Sequence, residues 1–190
     1  MTPSLSKAVS KNARILALFA IVCTAIVGLV HLLTKDQIIF QQQQELLRNL
    51  NSIIAEDNYN NIIYQDCMIL PRDALNTNTA QKVYRARYNN QPIAAAITTV
   101  APDGYNGNIE LLVAINMNGS VSGVRTLKHQ ETPGLGDKIE VKKSDWIKSF
   151  TNKKLANKSD NRWLVKKDGG MFDQFTGATI TPRAVVKAVK

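Results

Sequence analysis

The feature that most constrains this chain is an unbroken apolar run near its start. Ile15 to Leu33 (ILALFAIVCTAIVGLVHLL) is 19 residues without a formal charge, bounded by Arg14 and Lys35. At about 1.5 Å rise per residue, a helix of that length reaches about the 30 Å of a bilayer's hydrocarbon core. A core helix of a soluble domain carries a polar face, and here only Thr24 and His31 break the apolar surface. The run therefore predicts a membrane span over 15–34. A cleaved signal peptide is the main rival. Its apolar core would be shorter, and the following HLLTKDQ offers no small-x-small cleavage site. An uncleaved anchor is the better reading.

Charge orients the anchor. Lys7, Lys11 and Arg14 precede the span with no acidic residue among them, so residues 1–14 are expected in the cytoplasm. The remainder then lies on the far side, the periplasm of a Gram-negative cell. Setting those three cations aside reduces the net charge of +9 to +6 for the exported part. A chain with 44% apolar and 21% charged residues can build a packed core. Two cysteines exclude a disulfide scaffold. Cys23 falls in the span and Cys67 in the exported part, so they cannot pair, and Cys67 is expected as a buried free thiol. Two histidines and one cysteine outside the span leave no Cys/His zinc set, and no metal site is expected. His31 reads as an incidental polar residue near the outer interface. The basic residues are scattered, which argues against nucleic-acid binding.

Beyond the span, Leu46, Leu47, Leu50, Ile53 and Ile54 follow helical spacing. They predict a juxtamembrane helix over 35–58 whose stripe packs on its own domain, ended by Asn58–Asn61. A β-rich region follows. Lys82–Tyr88 alternates, and Ile93–Val100 and Ile109–Ile115 read as buried strands separated by the turn-rich APDGYNGN. Asn118-Gly119 predicts a hairpin turn into Ser120–Leu127. Ser144-Asp145 reads as a helix start leading into WIKSF, and Trp163–Val165 as a short strand. Thr181-Pro182 predicts an N-cap with proline at the first helical position, and Ala184, Val185, Ala188 and Val189 form the apolar face of a last helix. The fold class is α+β: a single N-terminal transmembrane helix, then a domain over 59–190 with an antiparallel sheet and flanking helices.

Two segments are rich in small and constrained residues. In His129–Lys138 (HQETPGLGDK), a proline and two glycines allow close backbone approach to a ligand, although an ordinary connecting loop has the same composition. In Lys166–Arg183, small and hydroxyl residues precede a helix start, whose free N–H groups and dipole form a natural phosphate seat. Lys166, Lys167 and Arg183 add positive charge, and Gly177 and Ala178 leave the Thr179 hydroxyl accessible. A plain capping turn would also satisfy this pattern.

Phe175-Thr176-Gly177-Ala178-Thr179-Ile180-Thr181 resembles the Ser/Thr-Gly-Ala-Thr flavinylation motif, with Asp173 at the usual offset before it. The Glu131-Thr132-Pro133-Gly134-Leu135-Gly136 loop, the Ala101–Tyr105 turn and the N-terminal anchor occur in the same order in one family. The chain resembles the RnfG/RsxG family, the G subunits of Rnf/Rsx ion-translocating electron transport complexes. It is more distantly similar to the C subunits of sodium-pumping NADH:quinone reductases.

The resemblance implies an FMN-binding domain at 59–190 and an FMN joined by a phosphoester to Thr179. It implies a separate flavin transferase, using FAD and magnesium, that reads Asp173 and Gly177. The ring would lie against Glu131, Thr132, Leu135 and Gly136, with Thr176 and Lys167 serving the phosphate or local structure and Gly177 and Ala178 also lining the cofactor site. The implied role is an electron carrier in a bacterial inner-membrane complex, with other subunits as partners, rather than a stand-alone enzyme. A non-redox sensor or adaptor, whose +6 charge attracts an anionic partner, is the alternative.

Overall fold

The computed structural model describes residues 3–71 and 80–190. It forms two compact units, one up to Glu45 and one from Leu46 to Lys190. Helix α1 (Pro3–Ile53) is continuous for 51 residues, so no break separates the expected span from the expected juxtamembrane helix. The helix includes an 18-residue window of mean hydropathy 2.7, none of it buried, and is long and apolar enough to cross a membrane. In such a helix every polar group needs an internal partner, and the Thr34 hydroxyl donates to the Val30 carbonyl at 2.8 Å.

The second unit is built on one antiparallel meander, in spatial order β1 to β5. Its strands are β1 (Cys67–Leu70), β2 (Gln81–Tyr88), β3 (Gln91–Gly104), β4 (Gly107–Asn116) and β5 (Val121–Lys128). Asn89 and Asn90, both at positive φ, make the two-residue turn between β2 and β3. The Asn118-Gly119 turn expected between β4 and β5 is present, with Gly119 at φ +80. Two corrections concern this sheet. Ala101–Gly104 is not a loop but the end of β3, paired from Ala101↔Ile109 to Gly104↔Gly107. The connection is therefore the tight Tyr105-Asn106 tip. Strand β1 has no alternating pattern to betray it. It is an edge strand exposed along most of its length, and Cys67 is an exposed free thiol rather than a buried one.

Alternation along β4 sends Ile109, Leu111 and Val113 to one face and Leu112 and Ala114 to the other. On the second face lie Leu50 and Ile53 from the end of α1 and Ile54 just after it, so the predicted stripe packs on its own domain. Alanines 86, 94, 96 and 114 keep that face shallow. A Cβ on Gly123 would stand 2.8 Å from Ile53 Cγ2, so glycine is what lets the helix end come so close. The last carbonyls of a helix lack partners within it. Here Ser122 Oγ donates to the Ile53 carbonyl at 2.5 Å and Arg125 Nη2 to the Ser52 carbonyl at 2.9 Å.

The other face carries the larger core. Trp146, Phe150, Trp163, Phe172 and Phe175 cluster there, Phe150 stacking on Phe172 at 4.4 Å. Helix α2 (Ile180–Val189) covers it with Ala184, Val185 and Val186. Ser144 caps as expected, accepting from the Trp146 N–H, but the segment it starts, Asp145–Phe150, is a 3₁₀ helix. Trp163–Val165 is not a strand; Val165 makes a single parallel bridge to Phe172. Thr181 is not the N-cap of α2. The helix begins at Ile180 with Thr179 before it, which moves Pro182 to the third helical position. Proline is tolerated there because first-turn N–H groups have no intrahelical acceptor.

Candidate functional site

The two segments singled out in the sequence form the walls of one cleft of about 270 Å³. One wall is Glu131, Thr132, Leu135 and Gly136; the other is Gly177, Ala178, Thr179, Ile180 and Thr181, with Tyr105 at the rim. Each wall is held from below. Phe172 and Phe175 are buried on either side of Asp173 and Gln174. Phe175 meets Trp146 edge-on at 5.1 Å, and Trp146 Nε1 donates to the Asp173 carbonyl at 2.7 Å. From that anchor the chain turns sharply, the Ala178 N–H bonding the Phe175 carbonyl at 3.2 Å. Gly177 sits at φ +81, a position that favours glycine. The turn delivers Thr179 to the start of α2.

Thr179 is half-buried, with φ −87 and ψ −21, and its hydroxyl makes no capping hydrogen bond. A threonine at this position ordinarily turns its oxygen onto the helix's own N–H groups. Here the oxygen is left for other chemistry, in a cleft wall, at the positive end of a ten-residue helix.

The opposite wall is organised by Glu131, which is 4% exposed and makes no ion pair among the described residues. Its Oε1 accepts the Asn106 N–H at 3.1 Å, and its Oε2 accepts the Thr181 hydroxyl. Asn106 Nδ2 also donates to the Gln130 carbonyl at 2.8 Å. One carboxylate thus joins the β3–β4 tip, the 131–136 loop and the first turn of α2. The loop is compact: the Leu135 and Gly136 N–H groups both bond the Thr132 carbonyl, at 3.2 and 3.0 Å. Next to it His129 Nδ1 accepts the Glu131 N–H at 3.0 Å, so Nε2 carries the proton given to Glu140 Oε1 at 2.8 Å.

Three predicted residues stand outside the cleft wall. Thr176 is exposed on the turn. Lys167 donates its backbone N–H to Gln174 Oε1 at 3.2 Å. Asp173 is exposed and paired with Lys166 at 2.6 Å. Of the expected basic group, Lys166 is therefore neutralised by Asp173. Arg183 makes a two-pronged contact with Asp168, both at 2.6 Å. That hydrogen bonding holds the Asp168 carboxyl below its ordinary range and raises the Arg183 guanidinium. Anion attraction at the cleft thus falls mainly to the helix start.

Sequence reasoning missed Tyr105, Ile180 and the Glu131–Thr181 bond. Tyr105 and Ile180 are 67% and 46% exposed, large apolar side chains in a cleft wall. The cleft fits a flat aromatic group tethered at one end: an apolar rim, an uncommitted hydroxyl, and an N-terminal helix dipole suited to a phosphate.

Comparison with known proteins agrees with this geometry. A family model described as an FMN-binding domain matches residues 104–190. Another, described as RnfG N-terminal region, matches residues 1–53. Among curated relatives, the G subunit of the ion-translocating oxidoreductase complex of Shewanella amazonensis is 53% identical over 97% of this chain and 86% of its own length. Its counterpart in Shewanella baltica is 54% identical over 95% of this chain and 85% of its own. That of Aliivibrio fischeri is 51% identical over 95% and 86%.

Proposed function

The chain belongs to the G-subunit family of ion-translocating oxidoreductase complexes, and from that membership we propose that it carries electrons through an FMN covalently attached to Thr179. It has an FMN-binding domain and an apolar helix able to cross a membrane. The observation that carries the finer reading is the Thr179 hydroxyl, uncapped in the cleft wall at the start of α2.

Attachment is a phosphoryl transfer. The Thr179 oxygen attacks the flavin-side phosphorus of FAD, the bond to the AMP phosphate breaks, AMP leaves, and the hydroxyl proton passes to solvent. No electron changes hands. A separate transferase with magnesium performs this step, reading Asp173 and Gly177, which lie exposed beside the turn. The α2 N–H groups would face the phosphate, and Leu135, Ile180 and Tyr105 offer apolar surface to the ring. Thr132 and Gly136 complete that wall. Bound there, the flavin supplies one- and two-electron redox chemistry, while the protein sets its position and surroundings. The cleft is open at its rim, which suits exchange of electrons with neighbouring proteins of the complex.

A covalent tether is useful in the periplasm, where a free cofactor would be lost by dilution. In this reading the main domain lies outside the inner membrane and residues 1–14 in the cytoplasm, the orientation that the flanking cations favour. Redox change in the complex is then coupled to ion movement across that membrane. The FMN-binding match speaks against a non-redox adaptor.

The test is intact mass of the full chain isolated from a host that co-expresses the transferase. The expected gain is one FMN less one water, with yellow fluorescence surviving denaturing electrophoresis. Thr179→Val removes both, whereas Thr151→Val, on an exposed turn, keeps them. A flavin still bound in Thr179→Val would overturn the assignment.

A further inference from the structure

We infer that Glu131 is a positioning residue for flavin attachment: through its buried bond to Thr181 it fixes the first turn of α2 so that the Thr179 hydroxyl faces the cleft. The inference rests on the reading of Thr179 as the acceptor, and it replaces the sequence-based expectation that Glu131 serves only as a ring contact and Thr181 as a cap.

Three observations carry it. First, Glu131 is buried with no cationic partner among the described residues, and its two carboxylate oxygens are spent on neutral donors from distant segments. Burying a carboxylate is costly, and a plain connecting loop has no need of one. Second, the surroundings are carved to its shape. A Cβ on Gly136 would lie 2.9 Å from Glu131 Oε2, and one on Gly104 would lie 2.9 Å from Oε1. The second glycine of the 131–136 loop is thus explained by the Glu131 side chain, whereas Gly104 is required first by the Gly107 carbonyl, which lies still closer to such a Cβ, and only then by the carboxylate. Third, Thr181 is 1% exposed and follows the acceptor by two residues within the same helical turn. Its hydroxyl is the covalently nearest side-chain handle on Thr179 that reaches another segment. Thr179 has no cap of its own to fix it. Its placement is therefore delegated to the Glu131–Thr181 bond.

Phosphoryl transfer depends steeply on alignment of the attacking oxygen, and a shift of about 1 Å can cost on the order of a hundredfold. The experiment uses the purified full chain, made without the transferase, and supplied with transferase, FAD and magnesium. The initial rate of mass gain is read per folded chain, with folding followed by the near-ultraviolet circular dichroism of Trp146 and Trp163. Glu131→Ala and Thr181→Val are expected to slow attachment by about tenfold or more. Glu131→Gln and Thr181→Ser, which keep a hydrogen bond, should restore at least half the rate. Val124→Ala, in the sheet core, destabilises without touching the bond and should attach at the wild-type rate. If Glu131→Ala does not fold, the Thr181 pair carries the same comparison. Wild-type rates in both Glu131→Ala and Thr181→Val, or an equal slowing in Val124→Ala, would overturn the positioning role. Label persisting in Thr179→Val would instead sink the acceptor reading on which it rests.

Discussion

Replacing Gly136 by alanine adds one methyl group at the point where the cleft wall, the buried carboxylate and α2 converge. The new carbon would meet Glu131 Cβ and Oε2 at 2.9 Å each and Thr181 Oγ1 at 3.0 Å, all inside ordinary van der Waals contact. The φ of Gly136 lies outside the left-handed region, so alanine carries no backbone penalty there. At such a site the exchange would otherwise stabilise slightly, by restricting the unfolded chain. Overpacking of this kind costs about 1–3 kcal/mol. For a unit of this size each kcal/mol lowers the melting temperature by roughly 3 °C, so a fall of about 3–9 °C is expected. Thermal unfolding of the full chain, followed by near-ultraviolet circular dichroism, measures it. Glu131→Ala removes the Oε2 contact, so the double variant should be less destabilised than the two single changes summed, by more than about 0.5 kcal/mol. Gly134→Ala is the contrast: nothing lies within 4 Å, but φ is +77, so its cost is backbone strain alone and adds independently. A Gly136→Ala protein melting with the wild type, or strict additivity with Glu131→Ala, would refute the steric argument.

Three further outcomes follow from the structure. The Asp168–Arg183 pair depresses the Asp168 carboxyl, so its stabilisation is complete above the ordinary value of 3.8 and is lost as pH falls below it. Melting temperatures between pH 6 and 2 should drop more shallowly in Asp168→Asn, and identical slopes would exclude the pair. Leu50→Ala empties a fully buried position where α1 meets the sheet and should cost about 2–5 kcal/mol in chemical unfolding; less than about 1 kcal/mol would mean that the helix end is not part of the core. An alkaline phosphatase fused after Asn58 should be active only if that point lies in the periplasm, and a silent fusion paired with an active cytoplasmic reporter would reverse the proposed topology.

Much of this architecture was legible along the chain because it is written in local periodicity. The uncharged run, the Leu46–Ile54 stripe, the alternation along β2 and the apolar runs in β3 and β4 each follow from how side chains repeat on a helix or strand, and the Asn118-Gly119 turn announced β5. Where the local signal was weak or misleading, tertiary pairing decided. Ala101-Pro102-Asp103-Gly104 has turn composition, yet pairing with β4 draws it into a strand. Cys67 has a buried residue's character, yet lies exposed on an edge strand. Thr181-Pro182 has the local signature of a helix start, yet the hydroxyl is worth more to a buried carboxylate than to its own helix, and the start shifts to Ile180.

The candidate site divides in the same way. Composition alone marked the 129–138 and 166–183 segments as unusual, and the order of their residues pointed to a tethered flavin. That the two face each other could not be read from either, because their meeting depends on the meander placing the β3–β4 tip beside the start of α2. Hydrophobic pattern is a property of neighbours in the chain and survives in the sequence. A hydrogen bond between residues 131 and 181 is a property of the closed fold, where burial removes water as a competitor and makes one carboxylate the tie between three segments.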